Sequence, residues 1–213
     1  MSLKPHDALA NLAAHAKTWP EPYLVTGAQA AYLYHRWRLP IEKMVDLSIP
    51  QESVATWQAI LPEPWVVLTH PSTYTQLRQS TRMAILQPSL SESLWARRVI
   101  HQGLPFISPE DLSLHLLRTA TTQIRLSELS ALLIEQRNTL DWDYLINQIS
   151  SSKLLARLTN VIQTINREAE RTLISTNLLE SPVTSPANKL LLKPASIIPI
   201  LRPLRAQWRI ANV

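Results

Sequence analysis

The chain has 213 residues, 46% of them apolar, with 21 Lys and Arg against 16 Asp and Glu and no cysteine. That size and apolar share permit one large domain or a domain with an appendage. The missing thiols exclude disulfides, thiolate zinc sites and cysteine nucleophiles. No segment approaches the length of a membrane span. The first 19 residues lack a signal-peptide core, because His15 and Lys17 interrupt it. The expectation is a cytoplasmic protein with no membrane partner. Its charge is uneven. Residues 181–213 carry Lys189, Lys193, Arg202, Arg205 and Arg209 and no acid, so the whole excess of +5 lies there. A neutral body with a basic tail points to nucleic acid less strongly than a uniformly basic surface does.

Leu9, Leu12, Ala13 and Ala16 predict a helix over 5–19, ended by Pro20 and Pro22 near Trp19. Pro22–Val25 is short, apolar and β-prone and reads as a buried strand running through Thr26. It enters Gly27, one of 2 glycines in the chain, and then a helix with Ala30, Ala31, Leu33, Tyr34 and Trp37 at helical spacing, up to Pro40. A glycine where a strand turns into a helix permits positive φ or close approach of a ligand. The free N–H groups opening the helix would suit an anion. Lys43–Ile49 predicts a second strand.

Beyond Pro50, a short helix carries Val54, Trp57, Ile60 and Leu61, and Pro62 and Pro64 close it. Strands are predicted at Trp65–Thr69 and Arg82–Gln87, with a loop or a weak strand excursion over 70–81 between them. A helix is expected over 91–102, then Gly103 and an extended piece, Leu104–Ile107. Ser108-Pro109-Glu110-Asp111 is a strong helix start, with Ser108 as N-cap, Pro109 as first helical residue and Asp111 as the acid reaching back. Helices are predicted at 109–120, 126–137, 141–150 (capped by Asp141) and 152–177. Ser181–Asn188 reads as a linker. Residues 189–213 mix apolar residues with their five cations and are expected to dock, either onto another molecule or, the favoured reading, back on the body.

The expected fold class is α/β (α+β): a small mixed sheet with flanking helices over 1–108, a helical subdomain over 109–177, and a proline-rich basic extension over 178–213.

The order of strand, glycine turn, helix and a strand bearing Asp46 resembles the opening of the nucleotidyltransferase (DNA polymerase β-like) superfamily. The segments GLPFISPEDLSLHLL and RLSELSALLIEQRNTLDWDYLINQI are similar to the helical portion of a group of bacterial nucleotidyltransferase-like proteins. Together the two likenesses span about residues 20–170, and they consist mostly of caps and core positions, which testify to fold better than to activity. The resemblance implies nucleotide binding at Thr26, Gly27, Ala28 and Ser48. It implies Mg²⁺ held by Asp46, a second acid two residues on and a third acid from a later strand. Alternation along a strand turns the i and i+2 carboxylates to one face, and magnesium requires such hard oxygen ligands.

Several of those positions differ here. Ser48 stands at the second acid, the turn reads Gly27-Ala28, and no acid occurs between Glu63 and Glu92. The reading is therefore a degenerate, catalytically inactive nucleotidyltransferase-fold protein acting as a nucleotide- or partner-binding regulatory subunit. Asp46 retains a residual catalytic or metal role only if activity survives, with Mg²⁺ and an acid borrowed from Glu42, Glu110 or Asp111. A third reading is an antitoxin-like or nucleic-acid-binding protein using the tail 189–213. Antitoxin components of abortive-infection systems have a similar strand–helix opening and Ser-Pro-Glu helix start, without an Asp-x-Asp pair.

His35, Arg36 and Arg38 could meet a phosphate, although a solvated helix face at the helix end is the commoner explanation. No Walker A, G-x-G-x-x-G or G-x-S-x-G motif occurs, and the 6 histidines show no metal-ligand spacing. The 7 tryptophans are spread along the chain and read as packing anchors.

Overall fold

The computed structural model describes residues 19, 22–35, 44–60, 65–68, 82–119 and 122–179. The predicted helix over 5–18, the loop over 70–81, Glu42, Arg36, Arg38 and the tail beyond 179 lie outside these residues. The chain divides into two compact units, Met1–Leu112 and Ser113–Val213.

The first unit is α/β. Its strands are β1 (Leu24–Thr26), β2 (Met44–Ile49), β3 (Trp65–Leu68), β4 (Arg82–Pro88), β5 (Val99–His101) and β6 (Leu104–Phe106). They form one mixed sheet in the order β3-β4-β2-β1-β6-β5. Helix α1 (Gly27–His35) connects β1 to β2, which then pair antiparallel with Thr26 opposite Asp46 and Leu24 opposite Ser48. β4 lies parallel on the other side of β2, with Ile85 beside Asp46. β6 runs parallel to β1, and the Ile107 N–H extends the pairing by donating to the Val25 carbonyl at 3.1 Å. Period-two alternation sets Val45, Leu47 and Ile49 on one face of β2 and Asp46 and Ser48 on the other. Val25, Leu47, Ile49 and Phe106 are fully buried, each contributing about 1.5–3 kcal/mol.

A short 3-10 turn (Gln51–Ser53) leads into α2 (Val54–Ile60). Trp57 of α2 meets Trp19 and Tyr23 edge to face, with ring centroids 5.5 Å and 5.6 Å away. Trp19 and Tyr23 complete the triad at 5.6 Å. Two of the tryptophans therefore cluster, contrary to the even spread expected; positions far apart in sequence meet once the sheet forms.

The helix expected over 91–102 is also corrected. Helix α3 (Glu92–Ala96) is one turn long, and Val99–Phe106 is a β-hairpin. Its two-residue turn, Gln102-Gly103, has φ of 51° and 79°. Positive φ at both central positions matches the right-handed twist of paired strands, and the β-branched Val99 and Ile100 favour the strand.

Helix α4 (Pro109–Thr119) begins in the first unit. Ser108 caps it: its Oγ accepts from the Asp111 N–H at 3.1 Å and donates to Asp111 Oδ2 at 2.8 Å. In the second unit follow α5 (Gln123–Gln136), α6 (Trp142–Asn147), α7 (Ser152–Glu168) and a 3-10 turn (Thr176–Leu179). Thr122, Asp141 and Ser151 cap their first turns through side-chain oxygens. Leu158, Val161, Ile162 and Ile165 form the buried stripe of α7, which packs along α5 with its buried Leu129, Leu132 and Leu133.

Helix α7 ends at Glu168, short of the predicted 177. Glu170 adopts φ 55°, a conformation that ends a right-handed helix. The Asn166 side chain then takes over the backbone, accepting from Leu173 N at 2.8 Å and Ile174 N at 3.0 Å and donating to the Ile174 carbonyl at 2.7 Å.

Candidate functional site

The β1–α1 turn meets the neighbouring strand β2 at Gly27 and Asp46. Gly27 has φ 59°, which disfavours any side chain. It is also crowded: a Cβ there would overlap the Asp46 carboxylate and lie 2.5 Å from Asp46 Cγ. Close approach of one of the chain's own side chains therefore explains this glycine. The half-buried Asp46 carboxylate lies at the opening of α1, where the helix dipole favours negative charge. The anion suited to this helix end is thus already supplied by the chain.

The surroundings of Asp46 follow from sheet register. Thr26 is its antiparallel partner, Ile85 its parallel neighbour, and Ser48 stands two residues along on the same face. Thr26 is 6% exposed, and its hydroxyl has no hydrogen-bond partner among the described residues. Ser48 is buried and shares a 3.1 Å hydrogen bond with the Ser89 hydroxyl. Ala28 is half-buried in the first turn of α1. The structure thus brings together Thr26, Gly27, Ala28, Asp46 and Ser48. Among the described residues, no three His, Asp or Glu side chains group as metal ligands.

His35 stands apart. It closes α1 while Gly27 opens it, and eight residues of helix separate them by about 12 Å. Burial pushes its imidazole down to about 4, against a weaker upward pull from a backbone hydrogen bond. At neutral pH it is uncharged, which removes the cationic character a phosphate contact would use.

Glu110 and Asp111, considered as lenders of a carboxylate to Asp46, are engaged elsewhere. Arg97 bridges them, with Nη2 donating to Glu110 Oε2 at 3.1 Å and Nε donating to Asp111 Oδ2 at 3.2 Å. Both acids are buried. Beside them, the Tyr34 hydroxyl donates to the Ile107 carbonyl at 2.6 Å. Burial, with the Glu110 and Asp111 charges, holds the Tyr34 phenol above its usual range. Arg97 was not singled out from sequence. The signal was present, since a guanidinium close in the chain to a Glu-Asp pair is a natural fork-like partner.

Comparison with protein-family models, with curated proteins and with solved structures gives no match. Among the described residues, no helix is long and apolar enough to cross a membrane.

Proposed function

We propose that this chain is a non-catalytic protein with a nucleotidyltransferase-like α/β unit, working as a partner-binding regulatory component. The observation that supports this best is the setting of Asp46. Its carboxylate packs against Gly27, and its sheet neighbours are Thr26, Ile85 and Ser48. Metal-assisted phosphoryl transfer draws most of its charge neutralisation from an ion held by converging carboxylates. A threonine, an isoleucine and a serine cannot take that part. An acid already lying on the helix opening also repels the phosphates that would otherwise sit there. The resemblance of its opening to that of antitoxin components, an analogy of sequence alone, agrees with a role exerted through binding.

A second reading, nucleotide binding without transfer, is favoured by one observation, the buried unpartnered Thr26 hydroxyl. Leaving such a group unsatisfied costs about 1–3 kcal/mol, which a bound ligand would recover. The test of the main reading is a transfer assay. The full chain is incubated with labelled ATP, GTP, CTP or UTP and Mg²⁺, with tRNA or protein as acceptor. No label should be transferred above the level of Asp46→Ala. Transfer that Asp46→Ala abolishes would overturn the reading in favour of an active enzyme.

A further inference from the structure

One end of the described part of the helical unit is rich in cations and poor in acids. Arg118 lies in the last turn of α4, Arg125 and Lys153 in the first turns of α5 and α7, and Arg157 one turn further along α7. Two hydrogen bonds bring these segments to one end of the unit. Arg157 Nη1 donates to the Leu117 carbonyl at 2.8 Å, and Arg118 Nη2 donates to the Gln148 carbonyl, just before α7, at 3.4 Å. His115 registers two of the cations: burial lowers its imidazole first, and Arg125 and Arg118 lower it further. Across segments 113–128 and 147–160 the sole acid is Glu128. It is buried and lies 3.7 Å from Arg125. The other acids of the described part of this unit, such as Glu135, Asp141 and Glu168, lie on other segments.

Two of these cations occupy unfavourable places. Helices α5 and α7 have no acid in their first turns, and a cation at that end opposes the dipole by about 0.3–1 kcal/mol. Lys153 is exposed and makes no ion pair among the described residues. Arg125 recovers part of that cost through Glu128, whereas Lys153 has no such compensation, and a local choice that weakens an element without an internal gain marks a functional position.

We propose that this end of the helical unit, built from Arg118, Arg125, Lys153 and Arg157, docks the phosphodiester backbone of duplex nucleic acid. Arg118, Arg125 and Lys153 are exposed, and so are Thr119, Thr122 and Gln148 around them. Phosphate oxygens accept from hydroxyl and amide groups of this kind as well as from cations. An acidic protein partner would require an apolar interface core. Ile124, 52% exposed, is the sole large exposed apolar side chain described in this unit. The contact is therefore to backbone and independent of base sequence. It uses residues of the second unit alone and stands whether or not Asp46 supports catalysis.

The test is fluorescence anisotropy of the full chain with a labelled random-sequence duplex of about 20 base pairs, across a salt series. Neutralising four phosphates should weaken binding about 100-fold between about 50 and about 200 mM salt. The double substitution Arg125→Gln with Lys153→Gln should lower the log–log salt slope by about 1.8 and weaken binding at low salt about tenfold or more. Both positions are exposed, and a melting curve matching the parent's confirms that the variant is folded. Absence of binding at low salt overturns the proposal, as does binding that the double substitution leaves intact. Binding that is lost on removal of 189–213 and unaffected by the double substitution assigns the activity to the tail and overturns it too. Competition by polyglutamate as effective as by unlabelled duplex overturns the choice of nucleic acid.

Discussion

At Gly27 a positive φ and a crowding carboxylate act on the same atom, and the two effects can be separated. Gly27→Ala forces a Cβ into left-handed backbone and onto Asp46. We expect a loss of about 2–4 kcal/mol in urea unfolding, of which about 1–2 kcal/mol belongs to the backbone. In an Asp46→Gly background, which also removes the Asp46 Cβ that would lie 2.7 Å from the added methyl, the overlap is gone, and only the backbone part should remain. Simple additivity across this double-mutant cycle would show that the carboxylate does not crowd the turn in solution.

His35 gives a second prediction. Its folded-state value of about 4 lies below the ordinary imidazole value of 6.5, so between these limits the unfolded chain binds more protons. The stabilisation is complete above pH 6.5 and is lost as pH falls toward 4, by roughly 3 kcal/mol in all. His35→Gln should flatten the stability profile by that amount over this window. An unchanged slope would show an imidazole that protonates freely in the folded state.

One guanidinium joins the end of α3 to the start of α4. Arg97 follows α3, and its partners Glu110 and Asp111 lie in the first turn of α4. Arg97→Met leaves two buried acids without this cation, and a loss of about 2–3 kcal/mol is expected in chemical unfolding. Arg97→Lys should recover only part of it, because an ammonium cannot reproduce the two-pronged geometry. Full recovery would reduce the role of Arg97 to charge alone. Ser108→Ala should cost a further amount of about 1 kcal/mol, the usual value of an N-cap, measured the same way.

These elements also show what the sequence could reveal. β1, β2 and β4 are short apolar runs bounded by proline or glycine, and they lie close to where periodicity and breakers put them. The hairpin was hidden because Gln102 is not a residue that announces left-handed backbone, even with Gly103 beside it. The end of α7 was hidden because Glu168-Ala169-Glu170-Arg171 contains only good helix formers. The stop comes from Asn166 bonding to residues up to eight positions on. In the candidate site, Gly27 and Asp46 were visible as residue types. That the carboxylate lies on the glycine follows from pairing of strands separated by a helix, which no local pattern encodes.

For the molecule as a whole, the two units carry different parts of the argument. The first unit forms one mixed sheet, in which Thr26 and Ile85 flank Asp46 across the strands and Ser48 lies two residues along. At one end of the described helical unit, Arg118, Arg125, Lys153 and Arg157 stand on segments whose sole acid is the buried Glu128. The proposed action by binding rests on these two features. The claim at the centre of this account is that Asp46 completes a helix end and does not hold a metal ion. Calorimetric titration of the full chain with nucleoside triphosphate, with and without Mg²⁺, tests it most directly. Any binding should be indifferent to Mg²⁺ and equal or stronger in Asp46→Ala, where a repelling charge is gone. Mg²⁺-dependent binding that disappears in Asp46→Ala would contradict it.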